Sequence, residues 1–273
     1  MSRAPLIVLG AGGRMGRRII ALAEAGGEAR VVGAIEIAGS HLVGRDAGEQ
    51  AGIAPLGVAV DFDFAATVAG AERGAVAVDF TMPEAAVEHA RAAASMGTPI
   101  VVGTTGLSRQ QRDELEGLSA RTPLLLSANM SVGVNVLLGL VGEAVRRLGP
   151  GFDIEIVEVH HNQKKDAPSG TALALAEAAA AAAGVDPATS LTLARQGMTG
   201  ARRPGAIGVV ALRGGDNVGE HTVMLLGTGE RVELSHRASS RDCLAVGAVR
   251  AGAWLYGKPP GLYSMKDVLG SGL

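Results

Sequence analysis

The run Val159-His160-His161-Asn162-Gln163-Lys164-Lys165-Asp166-Ala167-Pro168-Ser169-Gly170-Thr171 is the densest stretch of chemically capable side chains in the 273-residue sequence. It holds two of six histidines and two of four lysines, in a chain where arginine supplies 21 of 25 basic residues. The rare use of lysine here points to a need for ammonium. A compact ammonium can donate a proton or bind a carboxylate, whereas a guanidinium stays charged. Adjacent histidines at a strand end project to opposite faces, so His160 and His161 can divide proton transfer and substrate binding between them. Ser169, Gly170 and Thr171 open a helix and can offer backbone N–H groups and hydroxyls to an anion. Two other readings stand beside this one. Capping alone accounts for Asp166, Ser169 and Thr171, and a solvated loop accounts for the lysines. A metal site built from His160, His161 and Asp166 would need adjacent strand histidines to converge on one ion, which they rarely do, so no metal is expected.

A second pattern lies at the start of the chain. Gly10-Ala11-Gly12-Gly13-Arg14-Met15-Gly16 follows an apolar strand candidate and opens a helix candidate. Glycines there permit a tight turn, and backbone N–H groups can approach a pyrophosphate over the positive end of the helix. The spacing departs from G-x-G-x-x-G because Met15 takes the third position; read as G-x-x-G-x-x-G, glycines 10, 13 and 16 fit. Glu36 ends the second strand candidate, 20 residues after Gly16, where a carboxylate can accept from an adenosine ribose. Gly103-Thr104-Thr105-Gly106 and Ser127-Ala128-Asn129-Met130-Ser131 also stand at strand ends, where open α/β sheets bind ligands. Cofactor contact is expected from Gly103, Thr104, Thr105, Ser127, Ala128, Asn129 and Met130.

The elements that must position these residues follow two rhythms. Strand-like runs at Leu6–Leu9, Val31–Ile35, Val76–Phe80, Ile100–Val102 and Leu124–Ser127 alternate with helix-compatible stretches at Arg14–Ala25, Pro83–Met96 and Ser108–Ala120. Runs apolar throughout fit parallel strands covered on both faces, hence an α/β, Rossmann-like doubly wound sheet. From about residue 130 a long helix candidate, Val132–Arg147, precedes an extended run, Phe152–His160, and an Ala-rich helix, Ser169–Ala183. Then come Gly208–Arg213, His221–Leu226 and Arg231–His236, separated by glycine-containing turns, which read as an antiparallel or mixed sheet. A last helix candidate covers Asp242–Tyr256. The pattern predicts a smaller α+β domain after the first.

Composition narrows the function. With a formal net charge of -2, no basic stripe and 3% aromatic residues, nucleic-acid binding has little support. Cys243 stands alone, so neither an internal disulfide nor a cysteine zinc site is expected. Met1 to Pro5 lacks the pattern of a signal peptide, and Val132–Leu148 carries Glu143, Arg146 and Arg147, a poor membrane span. The expected setting is the cytoplasm, and the expected partner a small molecule.

Glu158 to Ala172 closely resembles the signature of the 4-hydroxy-tetrahydrodipicolinate (dihydrodipicolinate) reductase family. Gly10–Gly16, Gly103–Gly106, Ala128–Asn135 and His236–Arg241 also resemble family elements and occur in family order. The resemblance implies NADH- or NADPH-dependent reduction of a cyclic dicarboxylate in the diaminopimelate route to lysine. It implies His160 as the acid/base residue and Lys164 as a second proton donor, with His161, Ser169, Gly170 and Thr171 at the substrate. It also implies a homotetramer, with a Rossmann domain (residues 1–130 and 241–273) hinged to a substrate-binding and oligomerisation domain (131–240). Some family members carry a basic residue after the ribose-binding acid to meet the NADPH 2′-phosphate. Here that residue is Ile37, so NADH is expected to serve at least as well, unless Arg14, Arg17 or Arg45 compensates. An aspartate-pathway aldehyde dehydrogenase would need a nucleophilic cysteine, and Cys243 lies far from the motif. A non-catalytic sensor of the same fold need not keep His160 together with Lys164.

Overall fold

The computed structural model describes residues 3–270. In chain order the first half runs β1 (Ala4–Leu9), α1 (Arg14–Gly26), β2 (Ala29–Ile35), α2 (Ala47–Ala51), β3 (Val60–Asp61), α3 (Phe64–Gly70), β4 (Val76–Asp79), α4 (Pro83–Met96), β5 (Ile100–Val102), α5 (Arg109–Leu118) and β6 (Pro123–Leu126). The second half runs α6 (Val132–Leu148), β7 (Asp153–His160), α7 (Gly170–Ala183), α8 (Pro187–Ser190), β8 (Leu191–Thr192), β9 (Ile207–Arg213), β10 (Gly219–Leu226) and β11 (Arg231–Ala238). The described chain ends with α9 (Asp242–Leu255), β12 (Gly261–Tyr263) and α10 (Met265–Leu269). Two compact units result among the described residues, one from residues 3–132 with 242–270, the other from Gly133–Arg241.

The first unit holds a seven-stranded parallel sheet in the order β12-β6-β5-β4-β1-β2-β3. Its central strands are apolar throughout because both faces are covered. Leu6 and Val8 of β1 join a core with Ile20 of α1 and Ala245 and Ala248 of α9. Ile7 and Leu9, on the opposite face, pack with Ala90 of α4 and Leu115 of α5. Helix ends follow the local chemistry. Pro83 sits at the first turn of α4, where its missing N–H costs nothing. Ser108 and Gln111 form a reciprocal cap on α5.

The second unit holds a mixed five-stranded sheet, β11-β10-β7-β9-β8. β7 runs antiparallel to β10 and parallel to β9, with α7 in the crossover. β7 alternates strictly. Ile154, Ile156, Glu158 and His160 are buried, while the residues between them are more open. Helices α6 and α7 cover the buried side through Leu137, Val141, Leu175 and Ala179, against Ile156, Val209 and Val223. Alanine through the middle of α7 favours the helix and lets it lie close on the sheet.

Candidate active site

In the first unit the topology reverses between β1 and β4, which places the loops after both strands at the carboxyl-end crevice where this architecture binds ligands. Gly10 takes a left-handed φ of 70° and turns the chain. A Cβ at Gly16 would lie 2.1 Å from the Gly10 carbonyl oxygen, so only glycine lets α1 start this close to the turn. Gly12 rather than Gly13 is the third tightly packed glycine, since a Cβ there would meet Leu42 at 2.3 Å. Gly13 precedes α1 and gives it no side-chain cap, and no acidic residue stands in the first turn, which leaves the N–H groups of that turn for an anion.

Glu36 stands one residue beyond β2, and its Oε2 accepts from Gly12 N–H at 2.9 Å. The carboxylate therefore already reaches the glycine loop. Ile37 is 75% exposed beside it. Arg17 Nε donates to the Gly12 carbonyl and Arg45 Nε to the His41 carbonyl, at 2.9 and 3.0 Å. Thr104 is buried and donates to the Thr81 carbonyl at 3.0 Å, whereas Thr105 is exposed. Ser127 Oγ donates to the Asn129 carbonyl (2.9 Å), and Asn129 Oδ1 accepts from Ser131 N–H, also at 2.9 Å. Met130 is buried and Ala128 exposed.

Sequence reasoning gave no role to the residues at the end of β4. Asp79 is fully buried and accepts from Thr81 N–H (2.7 Å) and Thr81 Oγ1 (2.6 Å), with His89 Nδ1 at 2.7 Å. Thr81 in turn packs against Gly10, where a Cβ would meet its methyl group at 2.9 Å. The available signal was an aspartate closing an otherwise apolar strand. These residues fit a dinucleotide: a glycine cradle that a Cβ would fill, an uncapped helix start and a carboxylate at the ribose position.

In the second unit, residues from three strands and one helix start meet at the end of β7. His160 is 8% exposed, and its Nδ1 is hydrogen-bonded to Glu158 Oε2. Glu158 is fully buried, and both its oxygens are engaged by Arg213 of β9 at 2.8 Å. Oε1 also accepts from Ser169 N–H at 3.0 Å. Burial works against the charge of Glu158, but Arg213, His160 and the Ser169 amide together hold its carboxyl below the usual range. A Cβ at Gly219 of β10 would stand 2.9 Å from His160 Nε2, so glycine keeps that side of the ring open.

His221, opposite Glu158 on β10, stacks edge-on against His160 with ring centroids 5.2 Å apart. Burial, then the neighbouring His160, pushes its pKa down to about 4, so it is neutral at pH 7. Ser169 Oγ caps α7 by accepting from Ala172 N–H at 3.2 Å, which leaves its proton for His221 Nε2 at 3.1 Å. Lys164 is half-buried, with its ammonium 3.0 Å from Asp166, whose carboxyl it holds below the usual range. His161 lies on the other side of the strand end, its N–H donating to the Asn217 carbonyl at 2.7 Å and its ring Nδ1 accepting from Gln163 N–H at 3.2 Å. Lys165 and Gly170 are exposed, and Thr171 is half-buried in the first turn of α7.

Glu158, Arg213 and His221 were not singled out from the sequence. Glu158 had a visible signal, its i, i+2 spacing from His160 on a strand; Arg213 and His221 join only through the sheet. Among the described residues no group of three or more His, Cys, Asp or Glu is placed to hold a metal, and no helix is long and apolar enough to cross a membrane.

A glycine cradle on a parallel sheet and a histidine–carboxylate pair on a mixed one define a class, the Rossmann-type oxidoreductases. Residues 4–130 match the family model for the dihydrodipicolinate reductase N-terminus, and residues 133–269 match that for its C-terminus. The chain is 53% identical over 265 residues, 97% of each chain, to the 4-hydroxy-tetrahydrodipicolinate reductase of Anaeromyxobacter dehalogenans strain 2CP-1. It is 49% identical over 266 residues to that of Brucella abortus strain 2308, covering 97% of this chain and 98% of the relative. The fold is shared with the dipicolinate-bound dihydrodipicolinate reductase of Paenisporosarcina sp. TG-14, at TM-score 0.76 and 20% identity over 96% of this chain and 97% of that one. The chain belongs to the dihydrodipicolinate reductase family and is an oxidoreductase.

Proposed function

We propose that the chain reduces 4-hydroxy-tetrahydrodipicolinate, by way of dihydrodipicolinate, to tetrahydrodipicolinate in the diaminopimelate route to lysine. The observation that carries this reading is His160, held through Nδ1 by a buried carboxylate with Nε2 on the side where Gly219 has no side chain, on the same short segment as Lys164 and the start of α7. A ring bearing two carboxylates needs cations and N–H donors on its anionic groups and one proton delivered to the reduced framework. His160 gives that proton. Lys164 balances a carboxylate, which competes with Asp166 for the ammonium, and serves as the second proton donor. His161, Ser169, Gly170 and Thr171 take up the remaining polar edge of the substrate at the helix start.

Gly10, Ala11, Gly12, Gly13, Arg14, Met15, Glu36, Gly103, Thr104, Thr105, Ser127, Ala128, Asn129 and Met130 hold the nicotinamide cofactor. When bound, that cofactor supplies the hydride. NADH serves at least as well as NADPH, because Glu36 repels a 2′-phosphate and Ile37 offers it no cation. Family membership extends the reading to a homotetramer working in the cytoplasm. Val210 and Leu212, exposed on the second sheet, are apolar surface that such an assembly would cover.

A coupled assay tests the reading. Dihydrodipicolinate synthase, pyruvate and aspartate semialdehyde are mixed with the protein, and loss of NADH or NADPH is followed. Oxidation of NADH is expected, and its absence with both cofactors overturns the function. His160→Gln and Lys164→Ala should each lower turnover by at least ~100-fold, the usual range for acid–base groups. Near-normal turnover in both would remove their assigned roles.

A further inference from the structure

The buried, helix-facing row of β7 runs Ile154, Ile156, Glu158, His160. A carboxylate in such a row is costly unless every lone pair is met. Glu158 meets this condition with a two-pronged contact to Arg213, the Ser169 N–H and His160 Nδ1. An ionised carboxylate only accepts hydrogen bonds, so the imidazole must present its proton on Nδ1. Nε2 is then the atom that exchanges a proton, and it lies on the side that Gly219 leaves open. Arg213 also donates to the Asp166 carbonyl at 2.7 Å, tying the following loop to the same carboxylate.

We infer that Glu158 is a positioning residue for the reduction, fixing the His160 tautomer with Nδ1–H bound and Nε2 free, and anchoring that histidine to the Ser169 start of α7. The inference rests on the functional reading only in assigning His160 the proton transfer. The charged and titratable groups around the ring are Glu158 on its own strand, Arg213 on β9, His221 on β10, His236 opposite His221 on β11, and Lys164 and Asp166 in the loop. His221 is held neutral and burial lowers the pKa of His236. Glu158 is therefore the anion in direct contact with His160.

The first measurement needs no variant. Nitrogen-15 NMR of the wild-type chain should show neutral His160 protonated at Nδ1 and unprotonated at Nε2. A proton on Nε2 overturns the inference. The second is Glu158→Gln, assayed beside the wild type and His160→Gln. Loss of the anion should lower kcat by ~10- to 100-fold and leave KM for the dicarboxylate within about threefold. The amide that Glu158→Gln introduces can donate as well as accept, so the same spectrum of the variant should show the Nδ1 tautomer of His160 no longer held alone. If kcat falls but the tautomer stays put in the variant, Glu158 is merely structural and the inference fails. If Glu158→Gln does not fold, the wild-type spectrum decides. Should His160→Gln keep near-normal turnover, the functional reading fails by itself, while the spectrum still reports whether Glu158 sets the tautomer.

Discussion

The two sites of this chain are made in opposite ways. At the end of β1 the site consists of missing side chains. Gly10, Gly12 and Gly16 clear a path for backbone N–H groups, and the Glu36 carboxylate reaches into it. At the end of β7 the site consists of crowded ones, with a carboxylate, a guanidinium, two imidazoles and a hydroxyl joined through bonds that leave Glu158 saturated. The first tolerates no added volume, and the second tolerates no lost partner. Substitutions of contrasting kind should therefore break each.

The largest effect is expected from removing a partner in the second unit. Arg213→Met strands the Glu158 charge in the interior and should destabilise the fold by about 3–5 kcal/mol, read from denaturant midpoints. A loss below ~1 kcal/mol, typical of an exposed pair, would show that water reaches this carboxylate.

The pH dependence of stability follows next. His221 has a folded pKa of about 4 against an ordinary 6.5. Between those values the unfolded chain binds more protons, so His221 contributes stability above pH 6.5 that is lost as pH falls toward 4. Its share is at most about 3 kcal/mol. His221→Gln should flatten the melting temperature across that window, and an unchanged slope would place the acid sensitivity elsewhere.

In the first unit Gly16→Ala adds volume against the Gly10 carbonyl. It should cost about 1–3 kcal/mol and weaken NADH binding, measurable by fluorescence titration, while leaving dicarboxylate binding intact. Equal damage to both ligands would erase the contrast between the sites. The smallest change expected is in selectivity. Ile37→Arg offers a cation to the 2′-phosphate and should shift the kcat/KM ratio toward NADPH by about tenfold, or ~1.4 kcal/mol. No shift would mean that Glu36 and the loop govern the choice without residue 37.

Much of the frame was legible because it is local. α4 and β5 have the bounds that pattern and punctuation predict, Pro83–Met96 and Ile100–Val102. The apolar run of β1 and the closely spaced strands after residue 207 correctly separated a parallel sheet covered on both faces from a mixed sheet. The short elements α2, β3 and α3 were not legible, since two to seven residues are too few to display a period. The glycine count favoured residues 10, 13 and 16, whereas the packing gives Gly12 the tighter place, because Leu42 and Glu36 arrive from a distant loop. In the second unit His160, Lys164 and Ser169 stood out by type and spacing within one segment. Arg213 and His221 did not, because they join that segment from 55 and 52 residues away through strand pairing.

The segment after β7 is pinned at both ends. At one, Gly214 N–H bonds the His160 carbonyl and His161 N–H the Asn217 carbonyl; at the other, Ser169 is fastened by Glu158 and His221. Between the pins, Asn162, Gln163 and Lys165 are exposed. Side chains so placed can be exchanged without pulling His160 out of register, because the strand and its neighbours hold that residue from behind. A lineage of such enzymes could retune what the loop welcomes while the histidine behind it stays where it was.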